Sequence, residues 1–243
     1  MSQAKLTDFH SEEKREIAEV FRTIPYMDKW IASLVENFIY TLEQIFYDNG
    51  SLKEEYRTKY GLKDGEYREW YPNSDNLSGT GKLHIKTTYR NNELHGQYES
   101  WFPNGQPNTQ ASFVDGKNEG DCKYWYQEVT PPQLSSQYTY TSGMLNGEYK
   151  QWYASGILWC HGYHKDNEYH GERKSWDRNG ILWLHHHHNN GKEHGECTVW
   201  SNGKLCGHRY YEDGKLHGEY KEWDDDGVLI EDKVYINGVE IRN

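Results

Sequence analysis

A glycine followed five residues later by a tryptophan occurs seven times in this chain, as Gly65/Trp70, Gly96/Trp101, Gly120/Trp125, Gly147/Trp152, Gly171/Trp176, Gly195/Trp200 and Gly218/Trp223. The residue after each glycine is acidic or an amide: Glu66, Gln97, Asp121, Glu148, Glu172, Glu196 and Glu219. Successive glycines stand 31, 24, 27, 24, 24 and 23 residues apart. A period near 24 marks an array of small supersecondary units, none of which buries its apolar face without a neighbour. Such arrays work through extended surfaces rather than through an enclosed pocket.

The turn residues set the unit. Each copy runs from glycine through a short strand to tryptophan, then a turn, then a return strand. The turns carry Pro103-Asn104-Gly105, Ser155-Gly156, Asn179-Gly180, Asn202-Gly203 and Asp226-Gly227. A second set, Asp115-Gly116, Asn190-Gly191 and Asp213-Gly214, joins one hairpin to the next. Asn-Gly and Asp-Gly supply the positive φ angles that tight hairpin turns need. Longer loops are expected from Ser74 to Lys82 and from Gln127 to Ser136, and a last short hairpin from Val234 to Ile241. With Ser155-Gly156 as a two-residue turn, Trp152 faces Trp159, and around Asn179-Gly180 Trp176 faces Trp183. The same register sets Glu148, Lys150, His161 and Tyr163 on one face.

Residues 1–46 read differently. Three- and four-residue steps through Met27, Trp30, Ile31, Leu34, Val35, Phe38, Ile39, Leu42, Ile45 and Phe46 predict an amphipathic helix. This segment is expected to cap the hairpin array of residues 47–243, or to dock a partner through Trp30, Leu34 and Phe38.

The run Gly-Lys-Leu-His-Gly-Glu-Tyr-Lys-Glu-Trp at residues 214–223 resembles the MORN repeat. It is most similar to the variant found in a bacterial antitoxin-type family and in MORN proteins of large DNA viruses of amoebae. The resemblance covers about residues 47–241 through the seven copies. It departs from the best-known MORN consensus in the tryptophan at the fifth position and in the scarcity of a second glycine. It implies a mainly β fold, an elongated single-layer solenoid of stacked antiparallel β-hairpins, here with a short N-terminal α-helical cap. It also implies a non-catalytic scaffold for protein–protein interaction or assembly, such as a viral structural or assembly component. The alternatives are an antitoxin-like binding protein and a membrane- or lipid-associated MORN protein.

Composition narrows the function classes. Only 35% of residues are hydrophobic but 15% are aromatic, with 10 Trp and 21 Tyr, which argues against disorder and for a thin body buried by large rings. The formal net charge of −11 argues against nucleic acid and anionic membranes as partners. No apolar run reaches the length of a membrane-spanning helix. Met1 to Lys5 lack the apolar core of a secretory signal, and the four cysteines show no CxxC spacing. An intracellular location is expected, or a virion if the viral reading holds.

Histidines stand in two columns. His95, His170, His194 and His217 each precede an anchor glycine and are expected to act at the turns. His161, His185 and His208 share the second column, whose members sit about 9.5 Å apart two strands away, too far to share an ion. Within His185-His186-His187-His188, alternation leaves only two imidazoles on each side, short of a structural zinc set. No metal and no cofactor are therefore expected. The acidic residue after each glycine is expected to face Arg68, Lys150, Lys174 or Lys221 across strands. No nucleophile elbow, phosphate loop or dinucleotide fingerprint is present, so no catalytic residue and no small-molecule substrate are assigned. The candidate partner-binding residues are Trp30, Leu34, Phe38, Trp159, His161, Trp183, His185 and His187.

Overall fold

The computed structural model describes residues 39–73 and 81–241, with Glu16 and Glu19 ahead of them. The expected helical cap before residue 39, with Trp30, Leu34 and Phe38, lies outside the described residues, as does most of the loop from Ser74 to Lys82. Contacts group the chain into two units that divide between Lys117 and Asn118. In the first unit, strands β1 (Tyr40–Phe46), β2 (Leu52–Lys59), β3 (Leu62–Trp70), β4 (Leu83–Arg90), β5 (Glu93–Trp101) and β6 (Pro107–Val114) pair in sequence, all antiparallel. The two-residue β7 (Lys117–Asn118) lies at the division. The second unit continues as β8 (Gly120–Trp125), β9 (Leu134–Thr141), β10 (Met144–Trp152), β11 (Leu158–Lys165), β12 (Glu168–Trp176) and β13 (Leu182–Asn189). It ends with β14 (Lys192–Ser201), β15 (Lys204–Glu212), β16 (Lys215–Trp223), β17 (Leu229–Ile236) and β18 (Val239–Ile241). Each of these strands pairs antiparallel with the next. The hairpin solenoid expected from the glycine–tryptophan period is thus present in each unit.

Two kinds of turn alternate. At Asp115-Gly116, Asn190-Gly191 and Asp213-Gly214 both residues have positive φ (48° and 75°, 48° and 79°, 50° and 81°), the two-residue turn that matches strand twist. The glycine N–H of each donates to a carbonyl in the preceding hairpin: Leu94, Tyr169 and Glu193, at 2.8–2.9 Å. The turns after tryptophan are mostly one residue longer. Tyr153 N–H donates to Ile157 O and Gly156 N–H to Tyr153 O, both at 2.9 Å, with φ of +86° at Gly156.

The longer turn overturns the expected tryptophan pairs. Trp152 lies opposite Leu158 and Trp176 opposite Leu182, not opposite Trp159 and Trp183. The added turn residue shifts the register by one at the tip. A bulge at Trp159 then restores it, so Lys150 faces His161 and Glu148 faces Tyr163 as expected.

Trp200 departs from the common unit in a different way. The repeat predicts that the outgoing strand stops at the tryptophan, and six of the seven strands do. In the copy of Gly195 and Trp200, β14 instead runs on to Ser201, which pairs with Lys204. The cause is the turn: Asn202 and Gly203 have φ of +50° and +77°, so the two-residue form closes directly on Ser201. Trp200 still lies half-buried opposite Leu205, as Trp152 lies opposite Leu158, so its packing role survives while its place at the strand end does not. The missing turn residue also accounts for the spacing of 23, rather than 24, between Gly195 and Gly218.

Another correction concerns residues 40–46. The helical spacing through Leu42, Ile45 and Phe46 is overridden, and the segment forms β1, with Phe46 opposite Leu52 as Trp152 is opposite Leu158. The tip explains this. Phe46-Tyr47-Asp48-Asn49-Gly50-Ser51-Leu52 repeats the Trp152–Leu158 turn in a degenerate form, with Tyr47 N–H donating to Ser51 O and Gly50 N–H to Tyr47 O.

The anchor glycines bend the strands. All seven have φ between +79° and +127° although they lie within strands. At Gly147 the pairing steps from Leu145–Tyr140 to Tyr149–Tyr138, so Asn146, Gly147 and Glu148 lie against Thr139 alone. Left-handed backbone of this kind is open to glycine and strained for residues with a Cβ. Gly171 has nothing within 4 Å of where a Cβ would stand, so Gly171→Ala isolates the backbone term. It is expected to cost about 1–2 kcal/mol in urea denaturation. Gly147→Ala should cost more, since the added carbon would meet Thr139 Cβ at 3.0 Å. An unchanged unfolding midpoint for Gly171→Ala would remove the strain argument.

The core lies on one face of each unit. The residue two after each anchor glycine points into it, and in several copies it lies opposite a return-strand residue of complementary size. Tyr67 opposes Thr87 and Tyr98 opposes Ala111 in the first unit. In the second, Cys122 opposes Tyr138, Tyr149 opposes Gly162 and Cys197 opposes Arg209. Hairpins are also tied at their tips. The hydroxyls of Tyr47, Tyr71, Tyr126 and Tyr153 donate to the carbonyls of Trp70, Trp101, Trp152 and Trp176 in the following copy, at 2.7–3.0 Å. No such bond is made to Trp200 among the described residues, since Asp177 stands where tyrosine would reach it.

Candidate functional site: the outward face of the second unit

The bulge at each hairpin tip, beside the tryptophan or, in the first hairpin, beside Phe46, leaves one return-strand residue without a cross-strand partner. In successive hairpins this residue is Lys53, His84, Asn108, Ser135, Trp159, Trp183, Cys206 and Ile230. It rests on the residue that follows the tryptophan: Lys53 lies over the Tyr47 ring, His84 against Tyr71 and Trp159 against Tyr153. Only in two adjacent hairpins is it a tryptophan, and Trp159 and Trp183 each remain 39% exposed.

Beyond the bulge, alternation places His161 and Tyr163 on β11 and His185 and His187 on β13 on the face opposite the core, with the exposed rings of Tyr163 and Tyr210. Trp159 and Trp183 stand at the bulge ahead of them, Trp159 against Tyr153. The structure thus groups the three histidines on that face and leaves the two tryptophans half-exposed at the hairpin tips.

The acidic column occupies the same face, but its partners differ from the cross-strand cations expected. Glu148 accepts from Lys150 on its own strand at 2.7 Å and meets His161 Nε2 on the return strand at 2.8 Å. Glu172 likewise meets Lys174 at 2.8 Å and His185 Nε2 at 2.8 Å. Glu219 pairs with Lys221 and Glu66 with Arg68 along their own strands. Residues two apart on a strand share a face, so the nearest cation is the one in the same strand. The cross-strand partner is the histidine column, with His208 Nε2 2.9 Å from Glu196. Lysine bonding holds the Glu148 and Glu172 carboxyls below the usual carboxylate range. In the other histidine column two of the four members serve the turns: His95 Nδ1 and His194 Nδ1 accept the backbone N–H of Asp115 and Asp213, whereas Nδ1 of His170 and of His217 is buried without an aligned hydrogen-bond partner.

Two groups of metal-type ligands come together among the described residues. Glu172, His185 and His187 converge on the outward face, and His186, Glu193 and Cys197 on the core face, with ligand atoms within 4.8 Å in each group. The inner group is flanked by cations. Arg173 Nη1 lies 3.3 Å from His186 Nε2, and Arg209 is directly opposite Cys197. Burial also pushes the Cys197 thiol up to about 11, so ionising it for a metal would be costly.

Fold and surface together define a protein of stacked β-hairpin repeats. Segments 94–115, 145–166, 169–190 and 216–237 match the family model of the MORN repeat variant, so the chain carries four such repeats. Each matched segment is one out-and-back hairpin: β5–β6, β10–β11, β12–β13 and β16–β17. The hairpins β3–β4, β8–β9 and β14–β15 fold alike outside those segments. The pairs Gly65/Trp70, Gly120/Trp125 and Gly195/Trp200 are therefore repeat anchors by their structure and not by the family match. No curated protein is matched by the chain. MORN repeats typically act as scaffolds for protein or membrane interaction.

Proposed function

We propose that this chain is a non-catalytic repeat scaffold that binds a protein partner, or a second copy of itself, through the half-exposed bulge tryptophans of the second unit. The observation that carries the reading is the pair of neighbouring bulge tryptophans, Trp159 and Trp183, each left 39% exposed. Lysine, histidine, asparagine, serine, cysteine and isoleucine occupy the same position elsewhere, so the fold does not require tryptophan there. Half-exposed Trp and Tyr among hydrogen-bonding side chains have the composition of protein-binding hot spots. The net charge of −11 favours a protein over an anionic membrane as the partner.

The test is cross-linking in the native source with the wild-type chain and with Trp159→Asn/Trp183→Asn, which installs the residue found at Asn108. The double variant should keep its circular dichroism and thermal midpoint and lose the cross-linked partner at least about tenfold, the loss of one good hot spot. Equal capture by both proteins would sink the reading. Membership of a virion or an assembly factory, and an antitoxin-like role, are finer readings supported by the resemblance alone. Recovery of the chain in purified particles is the measurement that bears on the first.

A further inference from the structure

We propose that Glu172, His185 and His187 form a binding site for a divalent transition-metal ion of the zinc class on the outward face of β12 and β13. Taken from the sequence, the histidine tract offered only two imidazoles to each side. The register supplies the third ligand, because Glu172 lies directly opposite His187. The two imidazoles, two residues apart on one strand, stand with ring centroids 5.0 Å apart. The ligand atoms of all three side chains lie within 4.8 Å of one another. Ligands about 2.0–2.2 Å from a common zinc ion are separated by roughly 3.3 Å, so rotamer adjustment alone closes the site.

Two further features prepare it. His185 Nε2 is shut off from solvent and close to Glu172 Oε1 at 2.8 Å, yet it has no aligned hydrogen-bond partner. His187 Nδ1 lies 3.3 Å from the Glu196 carbonyl. Donating there leaves Nε2 as its lone-pair nitrogen, the arrangement by which a backbone carbonyl orients a metal-bound imidazole. The competing cation is Lys174, 2.8 Å from Glu172 Oε1, on a side chain 32% exposed that can swing into water.

The neighbouring hairpins supply internal controls. In them the glutamate and first histidine recur, as Glu148 with His161 and Glu196 with His208, but Tyr163 and Tyr210 stand where His187 does. Among the described residues, only the hairpin of β12 and β13 carries all three ligands. His187→Tyr therefore installs a residue that the fold already accepts at this position, and Tyr163→His should build a second site.

The experiment is calorimetric titration of the full metal-free chain with Zn²⁺, with Co²⁺ absorption to read the ligand set. The wild type is expected to bind one ion per chain at this site. His187→Tyr should weaken that binding by at least about 100-fold, the upper end of what an outer-shell change costs. Tyr163→His should raise the stoichiometry by one. If His187→Tyr fails to fold by circular dichroism, Glu172→Gln replaces it with the same expected loss. Absence of saturable Zn²⁺ binding to the wild type would overturn the proposal. So would undiminished binding by the ligand variant, loss of the ion on Cys197→Ser, or an unchanged stoichiometry for Tyr163→His.

Discussion

Tyr149→Ala is expected to cost about 3–5 kcal/mol, enough to open the centre of the second unit. The ring is 2% exposed and sits at the meeting point of three others. It stacks on Tyr138 at 6.0 Å and 10°, and contacts His164 at 4.6 Å and Tyr169 at 5.9 Å. It also covers Gly162 across the hairpin, so closely that a Cβ there would stand 2.9 Å from Tyr149 Cε1. The hydroxyl accepts from Arg173 Nε at 2.9 Å and lies 3.4 Å from Cys160 Sγ. Truncation leaves a cavity and removes an acceptor from a half-buried guanidinium. Tyr149→Phe keeps the ring and should lose only about 1–3 kcal/mol, the cost of an unsatisfied donor. Hydrogen exchange of β10 and β11 amides reads the local stability without requiring the array to unfold in one step. The size match across the hairpin is tested by a double-mutant cycle with Gly162→Ala. That change should destabilise the wild type, where the methyl group strikes the ring, and be neutral or favourable once Tyr149 is alanine. Additive effects would sink the complementarity argument, and a Tyr149→Ala loss below about 1 kcal/mol would sink the packing one.

The same pair shows what the sequence could and could not disclose. The glycine–tryptophan period and the Asn-Gly and Asp-Gly turns were legible, because both are local demands on backbone φ. So was the shared face of Glu148, Lys150, His161 and Tyr163, which depends only on alternation beyond the bulge. The facing of Trp152 with Trp159 was not, because one residue of turn length decides it and Ser155-Gly156 fits either turn. Part of the signal that could have separated them is the tyrosine that follows the aromatic residue. Tyr47 and Tyr153 close the longer turn and their hydroxyls reach the next hairpin, as do those of Tyr71 and Tyr126 at the two long loops. Phe102, Asp177 and Asp224, however, close the same turn without a tyrosine. Trp200, followed by Ser201 and then Asn202-Gly203, has neither the tyrosine nor the extra residue, and it alone keeps the short turn. The tyrosine signal would also have moved the start of the β region back to Tyr40, since Phe46-Tyr47 repeats the Trp152-Tyr153 step. The convergence of Glu172 with His185 and His187 required the cross-strand register, which residue spacing along one strand does not contain.

Acidification from pH 6.5 to about 4 is expected to destabilise the second unit by roughly 2–4 kcal/mol through its buried histidines, with carboxylate protonation adding to the loss only toward the acid end. His186 lies between Arg173 on β12 and Cys197 on β14, 6% exposed. Its Nε2 is 3.3 Å from Arg173 Nη1, and a guanidinium has no acceptor, so Nε2 must carry a lone pair and the proton sits on Nδ1. Nδ1 faces Glu193 Oε1 at 3.6 Å, the one carboxylate turned toward it, while His185, His187 and Arg173 contribute positive charge. Burial, reinforced by Arg173, pushes the His186 pKa down to about 4. His188, stacked edge-on at 4.4 Å, is pushed down to about 4 by burial and then by His186. Between pH 4 and 6.5 the unfolded chain thus binds more protons than the folded one, so stability rises with pH and is lost on acidification. The full span from 6.5 to 4 would amount to about 3 kcal/mol for a fully buried ring. Residual solvent access at His188 and coupling between the rings reduce the sum to the range above. Glu148 and Glu172, held low by Lys150 and Lys174, give up their contribution only below about pH 4.5, which leaves pH 5–6.5 to the histidines. His186→Gln is the decisive variant, measured with a chelator present. Its amide can accept from Arg173 and donate to Glu193 without titrating, so the slope of stability against pH over 5–6.5 should fall by about half. A wild-type stability that is flat over that window, or a slope that His186→Gln leaves intact, would show that these rings are not what makes the fold sensitive to acid.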